Sequence, residues 1–352
     1  MGAGWLLNVV TLQKNIMRKV KIAIIDTGVN MEHPYLKNNI IEDVVISKNT
    51  FGKIQIKNGE HSYDVNGHGT ACASVIKKEC PEVEIISVQA LDRQGRCSLD
   101  VLEYSLEYVS SLQVDIVNLS LALIDSANIS VIKSQCRKIN DNKIIVSALG
   151  NHMTKSYPAS MKCNIGVRGS ILDNIDDMWF NKRKIIQCVL DSTPYLHADC
   201  KNEYSMFGKC NSYAAARLTG IIAKIMSDNI YLERSEILRE LENRANRKYW
   251  SMLNICKSRR LPEINRYLVN SQLEQEVGNY MKLYLHKDEP LGNMLLLSQS
   301  GGLQYIQCFE LLKSLQRDFH FHIRDYTSIS REDFYSVNSI AHLIQRSKQV
   351  IS

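Results

Sequence analysis

The sequence predicts an α/β fold, a mostly parallel sheet with helices on both faces, plus a small C-terminal all-α domain. Two observations predict the sheet. Up to about residue 245, short β-branched runs alternate with helical patterns, the signature of βαβ units. Those runs are also apolar almost throughout, as strands covered on both faces must be. A third observation predicts the appendage: beyond residue 271 helical periodicity continues with no strand pattern.

The strand runs are Val20–Ile25, Val83–Ala90, Asp115–Leu119 and Lys143–Ala148. Helical patterns follow at His68–Lys78, Ser98–Leu112, Ser126–Ile139 and Ser212–Ser227. Residues 229–270 read as helical and carry nine Lys/Arg against five Asp/Glu. That excess includes Lys257-Ser258-Arg259-Arg260 ahead of Pro262 and reads as a solvated helix face with a basic linker. Leu273–Leu285, Leu303–Leu315 and Asp333–Gln345 supply the last helices, and the unit over 271–352 carries eight Lys/Arg and nine Asp/Glu. The expected division is an extension over 1–18, a large α/β domain over 19–250, a basic linker over 251–270 and a helical domain over 271–352.

Composition narrows the function classes. At 352 residues, 45% hydrophobic and 23% charged, the chain can bury a full core, and disorder, collagen-like repeats and coiled coil are excluded. A net charge of +6 is too mild to mark a nucleic-acid binder, so no nucleic-acid partner is expected. Ten cysteines are scattered without a CxxC pair or a Cys/His cluster at zinc-ligand spacing, which suits free thiols in a reducing cytoplasm. No apolar run approaches the ~18 residues that span a bilayer, and no membrane association is expected. The apolar run Gly4–Val10 lacks the basic flank and cleavage site of a signal peptide. Met17 directly precedes the first strand, so residues 1–16 read as an optional extension or a mis-called start.

Three short motifs then appear where an open α/β sheet places functional groups, at the carboxyl ends of strands. Asp26-Thr27-Gly28 ends the first strand, Gly67-His68-Gly69-Thr70 opens a helix, and Asn211-Ser212-Tyr213-Ala214-Ala215 opens another. An Asp, a His and a Ser delivered there can form a nucleophilic triad, in which the hydroxyl attacks a carbonyl, the imidazole takes its proton and the carboxylate orients the imidazole. Ser147-Ala148-Leu149-Gly150-Asn151 adds an amide side chain after the fourth strand, suited to stabilising an oxyanion.

On these residues the chain resembles the subtilisin-like serine proteases, the subtilases, whose triad also runs Asp, His, Ser along the chain. Asp26-Thr27-Gly28-Val29…His33-Pro34 is similar to the family's first signature and Gly67-His68-Gly69-Thr70 to its second. Asp115-Ile116-Val117-Asn118-Leu119-Ser120-Leu121 resembles the strand that pairs with the substrate backbone. Tyr157-Pro158-Ala159 and Leu241-Glu242-Asn243-Arg244-Ala245 extend the likeness, which covers roughly 19–248. It implies a subtilisin-like fold, with Asp26 orienting, His68 as base and acid, Ser212 as nucleophile, Asn151 as oxyanion donor, and Ser120, Leu121 and Ala122 binding substrate. The implied activity is endopeptidase cleavage through an acyl-enzyme, with a peptide or protein substrate.

The chain departs from the family pattern in four places. Cys210-Asn211-Ser212 replaces the usual Gly-Thr-Ser, and a Cβ at that glycine is costly if its φ is positive. Leu121-Ala122 replaces Leu-Gly, which implies a modest pocket for the residue before the cut. Only Glu79-Cys80-Pro81-Glu82 separates the second motif's helix from the next strand, too short for the family's calcium loop, so no metal and no cofactor is expected. The first strand begins near residue 19, so the expectation is folding without the prodomain of secreted subtilases. Together these features imply a cytoplasmic enzyme, and its analogy to proteases that remove leader segments from ribosomally made peptides gives the expected role.

Residues 273–345 bear a fainter likeness to acyl or peptidyl carrier domains, with Tyr305 where the phosphopantetheine serine would stand. No arm is expected; a docking role for substrate peptide or a partner enzyme is one alternative, and a plain helical bundle the other. His33 reads as structural, and His320 and His322 alternate as on a strand without other ligands at metal spacing. Two functional alternatives stay open: a catalytically weak pseudo-protease that binds peptides, and a ligase or cyclase using the same acyl-enzyme.

Overall fold

The computed structural model describes residues 19–59, 63–123, 129–229, 232–257, 260, 263–292 and 294–349. The expected N-terminal extension lies outside these residues, as does part of the Lys257–Arg260 basic run. Nine of the described strands build one sheet: β1 Lys21–Asp26, β2 Ile40–Lys48, β3 Ile54–Asn58, β4 Glu84–Gln89, β5 Ile116–Leu119, β6 Ile144–Ala148, β7 Ile165–Ser170, β8 Met178–Phe180 and β9 Cys188–Asp191. Their order is β3-β2-β4-β1-β5-β6-β7-β9-β8, parallel except for β3 against β2 and β8 against β9.

The four runs recognisable in sequence are β1, β4, β5 and β6, the central strands. Burial on both faces explains their uniform apolarity. Ile22 and Ile24 point into one core with helices α1 (His68–Glu79), α4 (Asn211–Asp228) and α5 (Arg234–Arg244). Ala23 and Ile25 point into the other, beneath α2 (Leu99–Ser111) and α3 (Ile129–Asn140). Each buried Ile or Leu contributes on the order of 2 kcal/mol, so these four strands are gripped from both sides. Of the sheet strands absent from the sequence expectation, β3 and β8 form the edges, and all but the nine-residue β2 are three to six residues long. In β2, Glu42-Asp43 interrupts the apolar run.

Two local expectations need correction. Residues 229–270 are not continuously helical: α5 ends at Arg244, and α6 covers only Met252–Lys257. Between them the chain runs alongside β8, where Phe180 N–H donates to Arg247 O at 3.0 Å and the Asn246 side chain accepts from Met178 N–H at 3.0 Å. Pairing with a strand edge outcompetes helix propensity there. His320 and His322 are not on a strand; His320 ends a helix in the left-handed conformation, at φ 54°.

The C-terminal helices are α7 Ser271–Tyr284, α8 Cys308–Phe319 and α9 Val337–Gln349. Asn270 starts α7 by accepting from the N–H groups of Gln272 and Leu273. Their apolar faces close on Val277, Met281, Leu312, Leu315, Phe334 and Ile340, and this core also takes in Leu196 of the α/β part. Leu196 lies on β10 (Tyr195–Ala198), which forms an antiparallel hairpin with β11 (Tyr204–Phe207). Leu196 N–H donates to Ile329 O and Arg331 N–H to Pro194 O, both at 2.9 Å. Arg260 pairs with Glu332 at 2.6 Å and donates to Thr193 Oγ1 at 2.6 Å. The helices therefore rest on the hairpin whose second strand leads into α4.

Candidate active site

Asp26 is the last residue of β1 and is buried at 1% exposure. Its Oδ1 accepts from Thr27 N–H at 2.8 Å and from His68 Nδ1 at 2.7 Å. An ionised carboxylate can only accept, so Nδ1 carries the proton and Nε2 faces outward with its lone pair. Nε2 has no partner among the described residues. His68 begins α1 immediately after Gly67, whose φ of 89° favours a residue without Cβ. One residue on, a Cβ on Gly69 would collide with the carbonyl oxygen of Gly28, so the two motifs meet only through glycine.

A buried carboxylate absent from the sequence expectation stitches this corner together. Asp64 accepts from Gly67 N–H at 2.7 Å, Thr70 N–H at 2.9 Å, Thr70 Oγ1 at 2.6 Å and Thr27 Oγ1 at 2.8 Å. Thr27 Oγ1 in turn accepts from Gly69 N–H at 3.0 Å. Burial pushes the Asp64 pKa up against these hydrogen bonds. The signal was present in sequence, an Asp three residues before the Gly that precedes His68, at the spacing of a helix-start acceptor. For His68, burial opposes protonation, but the charge and hydrogen bond of Asp26 outweigh it, with Asp64 adding to them, and its pKa stands above the ordinary 6.5.

Ser212 is the second residue of α4, where the helix's aligned peptide dipoles leave partial positive charge. Cys210 precedes the helix at φ −136°, an extended conformation that any residue adopts. The feared cost of a Cβ therefore does not arise; instead Cys210 Sγ accepts from Tyr213 N–H at 3.5 Å. Asn211, the other departure, is a brace. Its Oδ1 accepts from Gly169 N–H at 2.8 Å, while its Nδ2 donates to Leu149 O at 2.8 Å and Gly150 O at 3.3 Å. It thus ties the start of α4 to the loop carrying Asn151. The Asn211 backbone N–H donates to Asn151 Oδ1 at 3.4 Å, which leaves the Asn151 amide N–H groups without a protein acceptor among the described residues.

The Ser212 hydroxyl donates to the carbonyl of Ser120 at 3.3 Å rather than to the imidazole. Ser120 is itself fixed: Asn118 Nδ2 donates to its Oγ at 2.9 Å, and Thr219 Oγ1 donates to Asn118 Oδ1 at 3.0 Å. Behind the pair, Cys72 brings a third donor atom within 4.8 Å of Asp26 and His68. Burial raises its thiol pKa well above normal, which disfavours the thiolate a metal would need.

A cleft of about 730 Å³ opens over these groups. One wall is Gln94–Cys97 and Leu99, the other Ser120–Leu123, and His68, Ser212 and Asn151 line it as well. Every site residue expected from sequence lines this cleft, except Asp26, which sits buried behind His68. At Gly150 the Met153 thioether and the Ala122 methyl leave no room for a Cβ.

The structure is thus of the α/β class, a mostly parallel sheet with an Asp–His pair at one strand end and a helix-start serine lining the same cleft as the imidazole. Comparison gives the family. The profile of the subtilase family (Peptidase_S8) matches residues 17–278, and the chain belongs to that family. The thermophilic serine proteinase of Bacillus sp. (strain AK1) is 25% identical, over 64% of this chain and 56% of its own length. The major intracellular serine protease of Bacillus subtilis (strain 168) is 26% identical, over 60% of this chain and 69% of its own. The chain thus spans about half to two thirds of these curated relatives. Among solved structures, sphericase superposes with a TM-score of 0.52 at 20% identity, over 65% of this chain and 86% of its own, which shows the shared fold. Among the described residues no helix is long and apolar enough to cross a membrane.

Proposed function

We propose that this protein is a serine endopeptidase that cuts peptide bonds through an acyl-enzyme, with Asp26, His68 and Ser212 as its triad. The observation that carries this is the 2.7 Å Asp26–His68 hydrogen bond, held behind a cleft that Ser212 also lines. On this reading the Ser212 hydroxyl leaves Ser120 O and turns to His68 Nε2 when substrate binds; catalytic hydrogen bonds are commonly long or poorly aligned before then. His68 Nε2 takes the hydroxyl proton as Oγ attacks the carbonyl carbon, and Asp26 stabilises the imidazolium. Negative charge then develops on the carbonyl oxygen, and the unpaired Asn151 amide donates to it. His68 returns the proton to the departing amine, and water repeats the sequence to release the acid.

The acyl half of the substrate lies extended between Gln94–Cys97 and Ser120–Ala122. Ala122, where the family has glycine, narrows the pocket for the residue before the cut, which favours modest side chains there. The chemistry uses no cofactor. The ten free cysteines and the relatives named as intracellular proteases support a cytoplasmic setting, in which leader removal from a ribosomally made peptide is the role proposed. One observation favours a second reading, a peptide-binding pseudo-protease: the Ser212 hydroxyl rests on Ser120 O, not on His68. A fluorophosphonate probe decides between them. Labelling at Ser212, lost together with peptide hydrolysis in Ser212→Ala, is the expected result. An unlabelled, inactive wild-type chain would establish the binding role, and labelling at another residue would overturn the triad.

A further inference from the structure

We propose that the C-terminal helical unit forms the leaving-group wall of the active site, with Tyr305 and Ile306 receiving the polypeptide segment that follows the cut bond. This rests on the endopeptidase activity proposed above. The cleft between Gln94–Cys97 and Ser120–Ala122 includes no residue of β11, of Gly208–Cys210 or of the helical unit. On the proposed mechanism it receives the acyl half of the substrate. The other half departs on the imidazole's side, because His68 delivers the proton to the leaving amine.

On that side Phe207, the last residue of β11, meets the His68 ring edge-on with centroids 5.7 Å apart. The chain continues through Gly208 and the exposed Lys209 to Ser212. Three residues of chain keep the Lys209 and Ser212 Cα atoms within about 10 Å of one another. The short 3-10 turn Tyr305–Gln307 packs against β11, and the Lys209 ammonium lies 5.3 Å from the centre of the Tyr305 ring. The helical unit thus touches the segment that leads into the nucleophile, through Lys209 and β11.

The turn is rigidly held. Gln304 N–H donates to Gln307 Oε1 at 2.8 Å, and the flanking Leu303 and Cys308 are buried in the helical core. Between these anchors Ile306 is 80% exposed. An apolar side chain carried on an anchored turn binds without the cost of ordering the backbone beneath it. Ile306, the Tyr305 ring and the Lys209 cation together fit a downstream segment in which an apolar residue adjoins a carboxylate. The apolar residue covers Ile306 and the carboxylate meets Lys209.

The test assays the full chain on two substrates with the same acyl half. One is a peptidyl 4-nitroanilide, with nothing but the chromophore beyond the cut; the other is an internally quenched peptide that continues through a Leu-Glu segment. In Ile306→Asp, kcat/KM for the long peptide is expected to fall by about tenfold, the loss of one apolar contact. Nitroanilide hydrolysis and the melting temperature stay unchanged, because the side chain is exposed. Replacing Glu by Lys in the long peptide lowers wild-type kcat/KM severalfold, and salt narrows the difference. Equal losses on both substrates, or no loss on the long peptide, would overturn the proposal. A wild-type chain that cleaves neither substrate and takes no fluorophosphonate refutes the protease activity instead, so the two failures are separable.

Discussion

Truncating Asn211 to alanine tests how the start of α4 and the Asn151 loop are held in register. The side chain is 8% exposed and makes three hydrogen bonds, to Gly169 N–H, Leu149 O and Gly150 O. Its loss leaves the Gly169 N–H without its acceptor and two carbonyls without their donor. One orphaned donor at roughly 1–3 kcal/mol and two weakened acceptors at about 0.5 kcal/mol each give a loss of about 3 kcal/mol. With an unfolding entropy near 2.1 cal/mol/K per residue, 352 residues give a melting shift of about 4 °C. The catalytic effect is larger. Displacing a catalytic group by about 1 Å costs on the order of 10²-fold, and losing an oxyanion donor outright costs about 10²–10³, a magnitude taken from subtilisin rather than from this chain. Because the Ser120–Leu123 wall is untouched, the loss falls on kcat and leaves KM close to wild type. Thermal unfolding and steady-state kinetics on one peptide check both halves. An Asn211→Ala enzyme with wild-type melting and kcat, or one in which only KM rises, would refute the brace.

Two further expectations concern the same corner. The free enzyme needs neutral His68, whose pKa is held above 6.5, so kcat/KM should rise with pH through a pKa above that value. Asp26→Asn should move this limb downward and reduce kcat by about 10⁴-fold; a limb at or below 6.5 in the wild type would contradict the Asp26–His68 coupling. The sign for stability is opposite: a raised folded-state pKa contributes fully below the unfolded value and is lost as pH rises through the folded one. Cys210→Gly, which restores the family residue, should bring no gain in kcat and a stability loss of about 1 kcal/mol, since φ there is extended and the cap to Tyr213 disappears. A clear rise in kcat, measured beside the urea midpoint, would mean that the Cβ does obstruct the nucleophile.

Local sequence determined the central strands, the helices after them and the residues proposed for the triad and the oxyanion donor. Each of these is written in a short stretch: the uniform apolarity of β1, β4, β5 and β6, and motifs such as Asp26-Thr27-Gly28 and Gly67-His68-Gly69-Thr70. Tertiary structure decided what depends on chain segments far apart. Strand β2 exists because β4 offers it a parallel partner some forty residues on, despite its internal Glu-Asp pair. Asn211 becomes a brace by meeting Gly169, Leu149 and Gly150 across forty to sixty residues, and the helical unit reaches Lys209 through Tyr305 nearly a hundred residues later. Side-chain periodicity reports which face of an element is buried, a property of that element alone. Which groups then stand opposite one another follows only when the sheet closes and every buried donor must find an acceptor.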